Sequence, residues 1–213
     1  MICGVDEAGK GSVLGPMVVA AVGIPSEDVF SDLEVNDSKQ LSPKVRERLY
    51  GIIRKRFRTA TVRIDAHEID EIRTGITMNI CVARAHAQVI DRLSPSVAYV
   101  DACDVNAIRY AETVRSYLEQ SCEIISEHHA DQTFKVVSAA SIVAKVVRDR
   151  AIKSLSKKYG NIGSGYPSDP VTVAFLSDYF DEHKCPPPIA RKSWKTITMM
   201  VANKQQSRLS EFL

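Results

Sequence analysis

The 213-residue chain has no run approaching the ~18 consecutive apolar residues of a membrane helix, and its first residues lack the basic-then-apolar layout of a secretion signal. A cytoplasmic location is the resulting expectation. Cysteine is sparse and odd in number: Cys3, Cys81, Cys103, Cys122 and Cys185 are scattered, with no C-x-x-C pair. That excludes a disulfide framework and a zinc site and suits reduced, mostly buried thiols. An excess of charge is also missing, since 28 basic and 26 acidic residues leave a net charge of +2. Any contact with nucleic acid must therefore come from a local basic surface. Repeats and low-complexity tracts are absent. So are the patterns G-x-x-x-x-G-K-[ST] and G-x-G-x-x-G, which weakens a nucleotide-binding reading of the early glycine turn. No long unpaired apolar stripe calls for a second subunit, and a monomer is expected.

What is present is an ordinary globular composition, 45% hydrophobic and 25% charged, long enough for one full core with a small appendage. Residues 2–6 and 13–24 read as two strands joined through Gly9-Lys10-Gly11 as a hairpin. In "LSPKVRERLYGIIRKRF", Ser42 suits a helix N-cap and Pro43 the first helical position, with Val45, Leu49, Ile52 and Ile53 on one face. A short strand at 59–64 precedes a helix, "TMNICVARAHAQVIDRL", with Met78, Val82, Val89 and Leu93 on its stripe and a stop at Pro95. Then come a strand at 96–101, a helix near 106–119, a strand at 122–129 and a long helix from about 137 to 159. Asp169 and Pro170 open a last amphipathic helix, and the chain beyond Pro186-Pro187-Pro188 reads as an appendage. Strands that first form a hairpin and then alternate with helices predict an α/β fold with a mixed sheet, antiparallel early and parallel late.

Three of these strands end in acid. Asp6 and Glu7 close the first, Asp101 ends the strand at 96–101, and Asp131 follows the strand "CEIISEHHA". Asp104, in the turn after Asp101, reads as a local cap. In a regular strand Asp6 and Glu7 face opposite sides of the sheet, so they share a site only if the chain twists at the glycines of Gly9-Lys10-Gly11. Each acid alone could simply terminate its strand. Together they repel by roughly 4 kcal/mol per pair at 4 Å and an effective dielectric near 20. Such a cluster needs protons or cations, and an all-oxygen set suits Mg²⁺ or Mn²⁺. Two such ions can activate water and stabilise a leaving oxygen in phosphodiester hydrolysis.

With these residues in place, the chain resembles ribonuclease HII of the archaeal type. The resemblance runs from residue 2 to about 197 and rests on "GVDEAGKGSVLGP", "DSKQLS", "YVDACDV", "HHADQTFKVVSAASIVAKVVRDR", "GSGYPSDP" and "RKSWKT" in that order. It implies a ribonuclease H-like fold, a mixed five-stranded sheet flanked by helices: a catalytic domain at 1–160, a C-terminal helical region at 161–202 and a tail at 203–213. It also implies an endonuclease that cuts the RNA strand of RNA–DNA hybrids and single ribonucleotides in duplex DNA. Its metal and catalytic quartet would be Asp6, Glu7, Asp101 and Asp131, with Mg²⁺ or Mn²⁺ as cofactor. Two departures stand out: Gly-Lys-Gly replaces the Gly-Arg-Gly of many members, and Phe134 stands where Tyr is usual. Lysine keeps the charge but loses the planar fork.

Such an enzyme must sense a 2′-hydroxyl. Gly9, Lys10 and Gly11 offer backbone groups that can approach a sugar, and the resemblance assigns Tyr166 to the ribonucleotide junction, where otherwise its ring would pack a turn. Lys39, Arg46 and Lys145 are the expected backbone contacts, with Arg148 three residues from Lys145 on the same helix. One of His128 and His129 is expected to point inward as a structural histidine, and Trp194 to pack the C-terminal segment. The last residues, "QSRLSEFL", have the spacing of a peptide that docks on a DNA sliding clamp: Gln206, then Leu209 and Phe212, with Leu213 in place of a second aromatic. The rivals are another nuclease of the same fold, such as a junction resolvase or integrase core, and a clamp-tethered binding module with a decayed site. The presence of all four acids argues against decay.

Overall fold

The apolar residues of the first 24 positions form two paired strands, Ile2–Ala8 (β1) and Met17–Ile24 (β2), antiparallel and in regular register, with Asp6 opposite Ala20 and Glu7 opposite Val19. The computed structural model describes every residue except 31, 32, 34, 36–40 and 211–213, and the side chains of 205 and 207–210 also lie outside it. Arg58–Ile64 (β3), Val97–Asp101 (β4) and Glu123–Glu127 (β5) complete a five-stranded mixed sheet of order β3-β2-β1-β4-β5. β1 runs parallel to β4, and β4 parallel to β5. The antiparallel start and parallel continuation match the sequence expectation.

The helices are Pro43–Arg56 (α1), Ala66–Ile72 (α2), Met78–Leu93 (α3), Ala107–Arg115 (α4), Ala130–Thr133 (α5), Lys135–Tyr159 (α6), Pro170–His183 (α7) and Lys195–Ser210 (α8). Their ends follow local chemistry. Ser42 Oγ accepts the Val45 N–H at 3.3 Å with Pro43 in the first turn, Thr77 Oγ1 accepts from Ile80 at 3.4 Å, and Asp169 Oδ1 accepts from Val171 at 2.9 Å. α3 stops at Ser94, which turns left-handed (φ 51°) just before Pro95. The helices expected after Ser42, after residue 77, from about 137 to 159 and after Asp169 are all present, the third starting two residues early at Lys135. α2 is an addition, opened by a capping box in which Glu68 Oε2 accepts the Asp65 N–H at 2.7 Å.

By backbone packing the chain divides into two compact units, residues 1–10, 18–63 and 77–148 in the first and 11–17, 64–76 and 149–213 in the second. In the first, Val18, Ala20, Val22 and Ile24 of β2 pack with Leu49 and Ile53 of α1 and with Val136, Val137, Ala140, Val143 and Ala144 of α6. β1 meets the first turn of α6 backbone to backbone. A Cβ on Gly4 would lie 2.3 Å from the Val136 carbonyl and 2.4 Å from the Val137 nitrogen. That helix end is capped from afar, since Glu27 Oε1 accepts the Val136 N–H at 3.2 Å.

In the second unit Val13, Leu14, Ile152, Ile162, Leu176, Ala190 and Ile197 form the core. The backbone N–H groups of Val13 and Leu14 both donate to Gly165 O, at 2.8 and 3.0 Å, and Gly15 N–H donates to Ile189 O at 2.9 Å. These bonds explain why β2 starts at Met17 and not at residue 13: the backbone of 13–15 is already satisfied elsewhere. Arg191, fully buried, donates from Nε and Nη2 to Gly15 O at 3.2 and 3.1 Å. No helix among the described residues is long and apolar enough to cross a membrane.

Candidate active site

β1 places its two acids differently. Even-numbered residues face α6, as the Gly4 approach requires, so Asp6 lies on that side and Glu7 on the side of α3. The chain does not twist at the glycines to bring them together. Pairing with β2 stays regular through Ala8, and Gly9 takes up the turn with φ 85°. The Glu7 charge still reaches Asp6 and helps raise its carboxyl, after burial.

Asp6 is 6% exposed, and one of its oxygens accepts the Glu7 N–H at 2.7 Å. Burial pushes its carboxyl well above the usual range, and the negative charges of Glu7 and Asp101 push it further. The Ser141 hydroxyl and the Lys145 ammonium oppose the rise. Lys145 Nζ in turn donates to Ser141 Oγ at 2.5 Å, so α6 delivers a cation and a hydroxyl to this one acid. Parallel register explains Asp101: Val5 pairs with Val100, so the next residues, Asp6 and Asp101, stand side by side on one face. Asp101 Oδ1 accepts the Ala130 N–H at 2.8 Å, which ties the start of α5 to the end of β4. The next residue, Asp131, is 3% exposed.

These side chains fit a hard divalent cation by their chemistry. The donors are carboxylate oxygens, and the buried Asp6 carries a desolvation and repulsion cost that a cation would offset. Among the described residues no three Asp, Glu, His or Cys side chains yet point at one common position. Closing a cage therefore takes side-chain rotation at a sheet end where parallel register sets Asp6 and Asp101 side by side.

Lys10, one residue into the turn, donates from Nζ to Cys103 O at 2.8 Å in the loop after β4. Gly9 is buried, whereas Gly11 is exposed with open space around its Cα. Arg46 is half-buried and donates to Leu41 O at 2.7 Å. Arg148 is 4% exposed, so it is not the surface partner of Lys145 on a nucleic-acid strand that the spacing suggested. Both His128 and His129 are exposed, contrary to the expectation that one would be buried. The strand ends at Glu127, and His129 turns left-handed (φ 58°), so strand alternation no longer applies to them. Asp104 is a local cap, as read, accepting from Asn106 N–H at 3.1 Å and pairing with Arg109. Lys39 and Phe212 lie outside the described residues, as does the side chain of Leu209; Gln206 is an exposed residue of α8.

Within the second unit, Tyr166 is half-buried on a stiff loop. Asp169 Oδ2 accepts the Ser164 N–H at 2.6 Å, and Thr172 Oγ1 accepts the Gly165 N–H at 2.9 Å. Gly163 (φ 65°) leaves no room for a Cβ, which would sit 2.7 Å from Thr172 Oγ1. Trp194 packs into the unit's core, with the guanidinium groups of Arg73 and Arg191 at 4.7 and 4.9 Å from its ring, as the packing reading of this residue expected.

Sequence reasoning passed over His86, Tyr110 and Cys103. His86 Nε2 lies 3.2 Å from Glu7 Oε2, and its Nδ1 lies 3.1 Å from the Tyr110 hydroxyl. The signal was available: His86 falls four residues after Val82 and three before Val89, a polar residue in the gap of the apolar stripe of α3.

The family model for Ribonuclease HII matches residues 3–197. A Ribonuclease HII from Methanoregula boonei is 65% identical over 212 residues, covering 100% of both chains. Among solved structures, ribonuclease H2 from Pyrococcus horikoshii superimposes with a TM-score of 0.89 at 37% identity, covering 96% of this chain and 99% of that one. The PCNA:RNase HII complex from Archaeoglobus fulgidus gives 0.88 at 40% identity, covering 94% and 96%.

Proposed function

Because this chain belongs to the ribonuclease HII family, and so is a divalent-metal-dependent ribonuclease H endonuclease of type 2, we propose that it cuts the RNA strand of RNA–DNA hybrids and nicks duplex DNA at single embedded ribonucleotides. The observation that carries the reading is the parallel register that sets Asp6 beside Asp101 at adjacent strand ends, where burial first, and the charges of Glu7 and Asp101 next, push the Asp6 carboxyl well above its usual range. Asp6, Glu7, Asp101 and Asp131 are the residues proposed to hold Mg²⁺ or Mn²⁺. Two bound cations would activate a water for in-line attack and neutralise charge on the scissile phosphate and the departing oxygen. Cleavage of the bond to the 3′ oxygen leaves a 3′-hydroxyl and a 5′-phosphate.

The chain's own groups divide the remaining work. Ser141 and Lys145 hold Asp6 in place and temper its charge. Gly9, Lys10 and Gly11 present backbone to the sugar, with Lys10 steadied on Cys103 O. Tyr166, on its hydrogen-bonded loop, is proposed to read the ribonucleotide–deoxyribonucleotide junction, with the 161–202 region adding to substrate binding. Arg46 and Lys39 are proposed backbone contacts. The C-terminal spacing Gln206, Leu209, Phe212 supports docking on a sliding clamp, in line with the PCNA complex of the Archaeoglobus relative. Ribonucleotide removal and primer processing by a cytoplasmic monomer complete the reading.

The test is Asp6→Asn in the full chain, assayed on matched duplexes with and without one ribonucleotide. Loss of cleavage by about 10³-fold or more, with fold and duplex binding kept, is expected from removing charge that a metal site needs. Metal-dependent turnover at the wild-type rate would overturn the quartet. Cleavage of the all-DNA control would overturn the substrate.

A further inference from the structure

On the α3 side of β1, Glu7 ends in a buried chain of polar groups. His86 is fully buried, with Nε2 3.2 Å from Glu7 Oε2. The Tyr110 hydroxyl on α4 lies 3.1 Å from Nδ1 of the same ring, the two rings meeting edge to face with centroids 5.8 Å apart.

Proton positions follow from what each atom can do. An ionised carboxylate only accepts, so Nε2 carries the hydrogen that faces Glu7. With that hydrogen on Nε2, the Tyr110 O–H is placed to donate to Nδ1, 3.1 Å away. Burial keeps the phenol protonated, holding it well above its ordinary range. The Tyr110 and His86 donors then point one way, toward Glu7. The bond from His86 occupies Oε2 and leaves Oε1.

We propose that His86, backed by Tyr110, is a positioning residue that fixes the rotamer of Glu7 and presents Oε1 to a divalent cation. The proposal rests on Glu7 being a metal ligand, as in the proposed function. A flexible glutamate would lose rotamer freedom each time a cation bound. A glutamate held in place by a buried ring has lost that freedom on folding, which favours binding. Partners that orient a ligand in this way typically control metal affinity by about 10–100-fold.

The test is Mn²⁺ titration of the full chain without substrate, by calorimetry and electron paramagnetic resonance, with thermal melting alongside. Glu7→Gln serves as reference and should weaken Mn²⁺ binding. His86→Phe keeps a ring and removes both nitrogens, and should raise the Mn²⁺ dissociation constant about 10-fold. Tyr110→Phe, which deletes one oxygen and carries the test should His86→Phe not fold, should raise it about 3-fold. His86→Gln, which restores an N–H donor, should recover most of the loss. Unchanged Mn²⁺ affinity in a folded His86→Phe or Tyr110→Phe, with only the melting temperature lowered, would reduce the chain to a packing role and overturn the proposal. Unchanged affinity in Glu7→Gln would overturn the metal role of Glu7, and this inference with it.

Discussion

Replacing Gly4 by alanine puts a methyl group where the first turn of α6 already lies. The added Cβ would sit 2.3 Å from the carbonyl carbon and oxygen of Val136 and 2.4 Å from the nitrogen of Val137. Ordinary contact begins near 3.4 Å, so strand or helix must retreat by about 1 Å. Both partners are backbone within regular elements, and neither can turn aside as a side chain would. Overpacking of this kind costs typically 1–3 kcal/mol, and a backbone clash belongs near the top, at about 3 kcal/mol. Restricting the unfolded chain returns about 0.5–1 kcal/mol. A net loss of about 2 kcal/mol remains, which lowers a urea midpoint by about 1 M at a slope near 2 kcal/mol/M.

Gly51 supplies the opposite sign. It is an exposed helical residue of α1, and a methyl group added there would have no heavy atom within 4 Å, so Gly51→Ala should stabilise by about 0.5–1 kcal/mol. Urea unfolding of the two variants beside the wild type is the assay. Catalysis should follow stability in Gly4→Ala alone, because α6 carries Ser141 and Lys145 to Asp6 and a 1 Å displacement of a positioning group can cost about 10²-fold. A wild-type midpoint in Gly4→Ala, or a shift in the same direction as Gly51→Ala, would refute the close backbone approach.

The Asp6→Asn variant has a second readout. A carboxyl raised on folding adds stability that is complete below the unfolded carboxylate value and is lost as pH rises through the raised value. Metal-free wild type should therefore weaken relative to Asp6→Asn as pH increases above about 4, measured by urea midpoints in chelator; parallel profiles would show that Asp6 is not crowded. Asp169 runs the other way. Backbone and side-chain donors of Ser164 and the Val171 N–H hold it at about 2, so its contribution is present above pH about 4 and is lost as pH falls through 2. Asp169→Asn should flatten that part of the acid unfolding curve, and an unchanged curve would remove the loop's anchor. Deleting residues 206–213 should leave cleavage of a short duplex unchanged and abolish binding to a sliding clamp, measured by surface plasmon resonance. Equal clamp affinity would defeat the tail reading.

Helix positions were legible because their signals are local. Ser42-Pro43 and Asp169-Pro170 each fix an N-terminus within a few residues, and the structure starts α1 and α7 there. Less legible was whatever depends on distant backbone. Nothing near residue 13 announces that Val13 and Leu14 will bond to Gly165, far along the chain, and so leave the strand. The exposed His128 and His129 were misplaced for a related reason: alternation was extended two residues past the last strand pair, Asp101 with Glu127. His86 was hidden by habit of pattern, since a stripe of apolar residues tolerates a gap, and this gap held a polar group with a partner on β1.

The acids show the sharpest division between what a sequence can and cannot say. Strand alternation correctly puts Asp6 and Glu7 on opposite faces, and from there a shared site demands a twist. No twist occurs, because a sheet has an end as well as two faces. At that end parallel register sets Asp101 beside Asp6, and Glu7 lies close enough for its charge to raise the Asp6 carboxyl. Each face then brings its own support: Ser141 and Lys145 of α6 for Asp6, His86 of α3 and Tyr110 of α4 for Glu7. Two carboxylates on opposite faces of one strand are thus held by different helices, and on the proposed function both would serve one phosphate at the strand's end. Alanine at His86 should therefore disturb Glu7 while leaving the Lys145–Ser141–Asp6 bonds intact, and a site built on one face alone could not be perturbed so selectively.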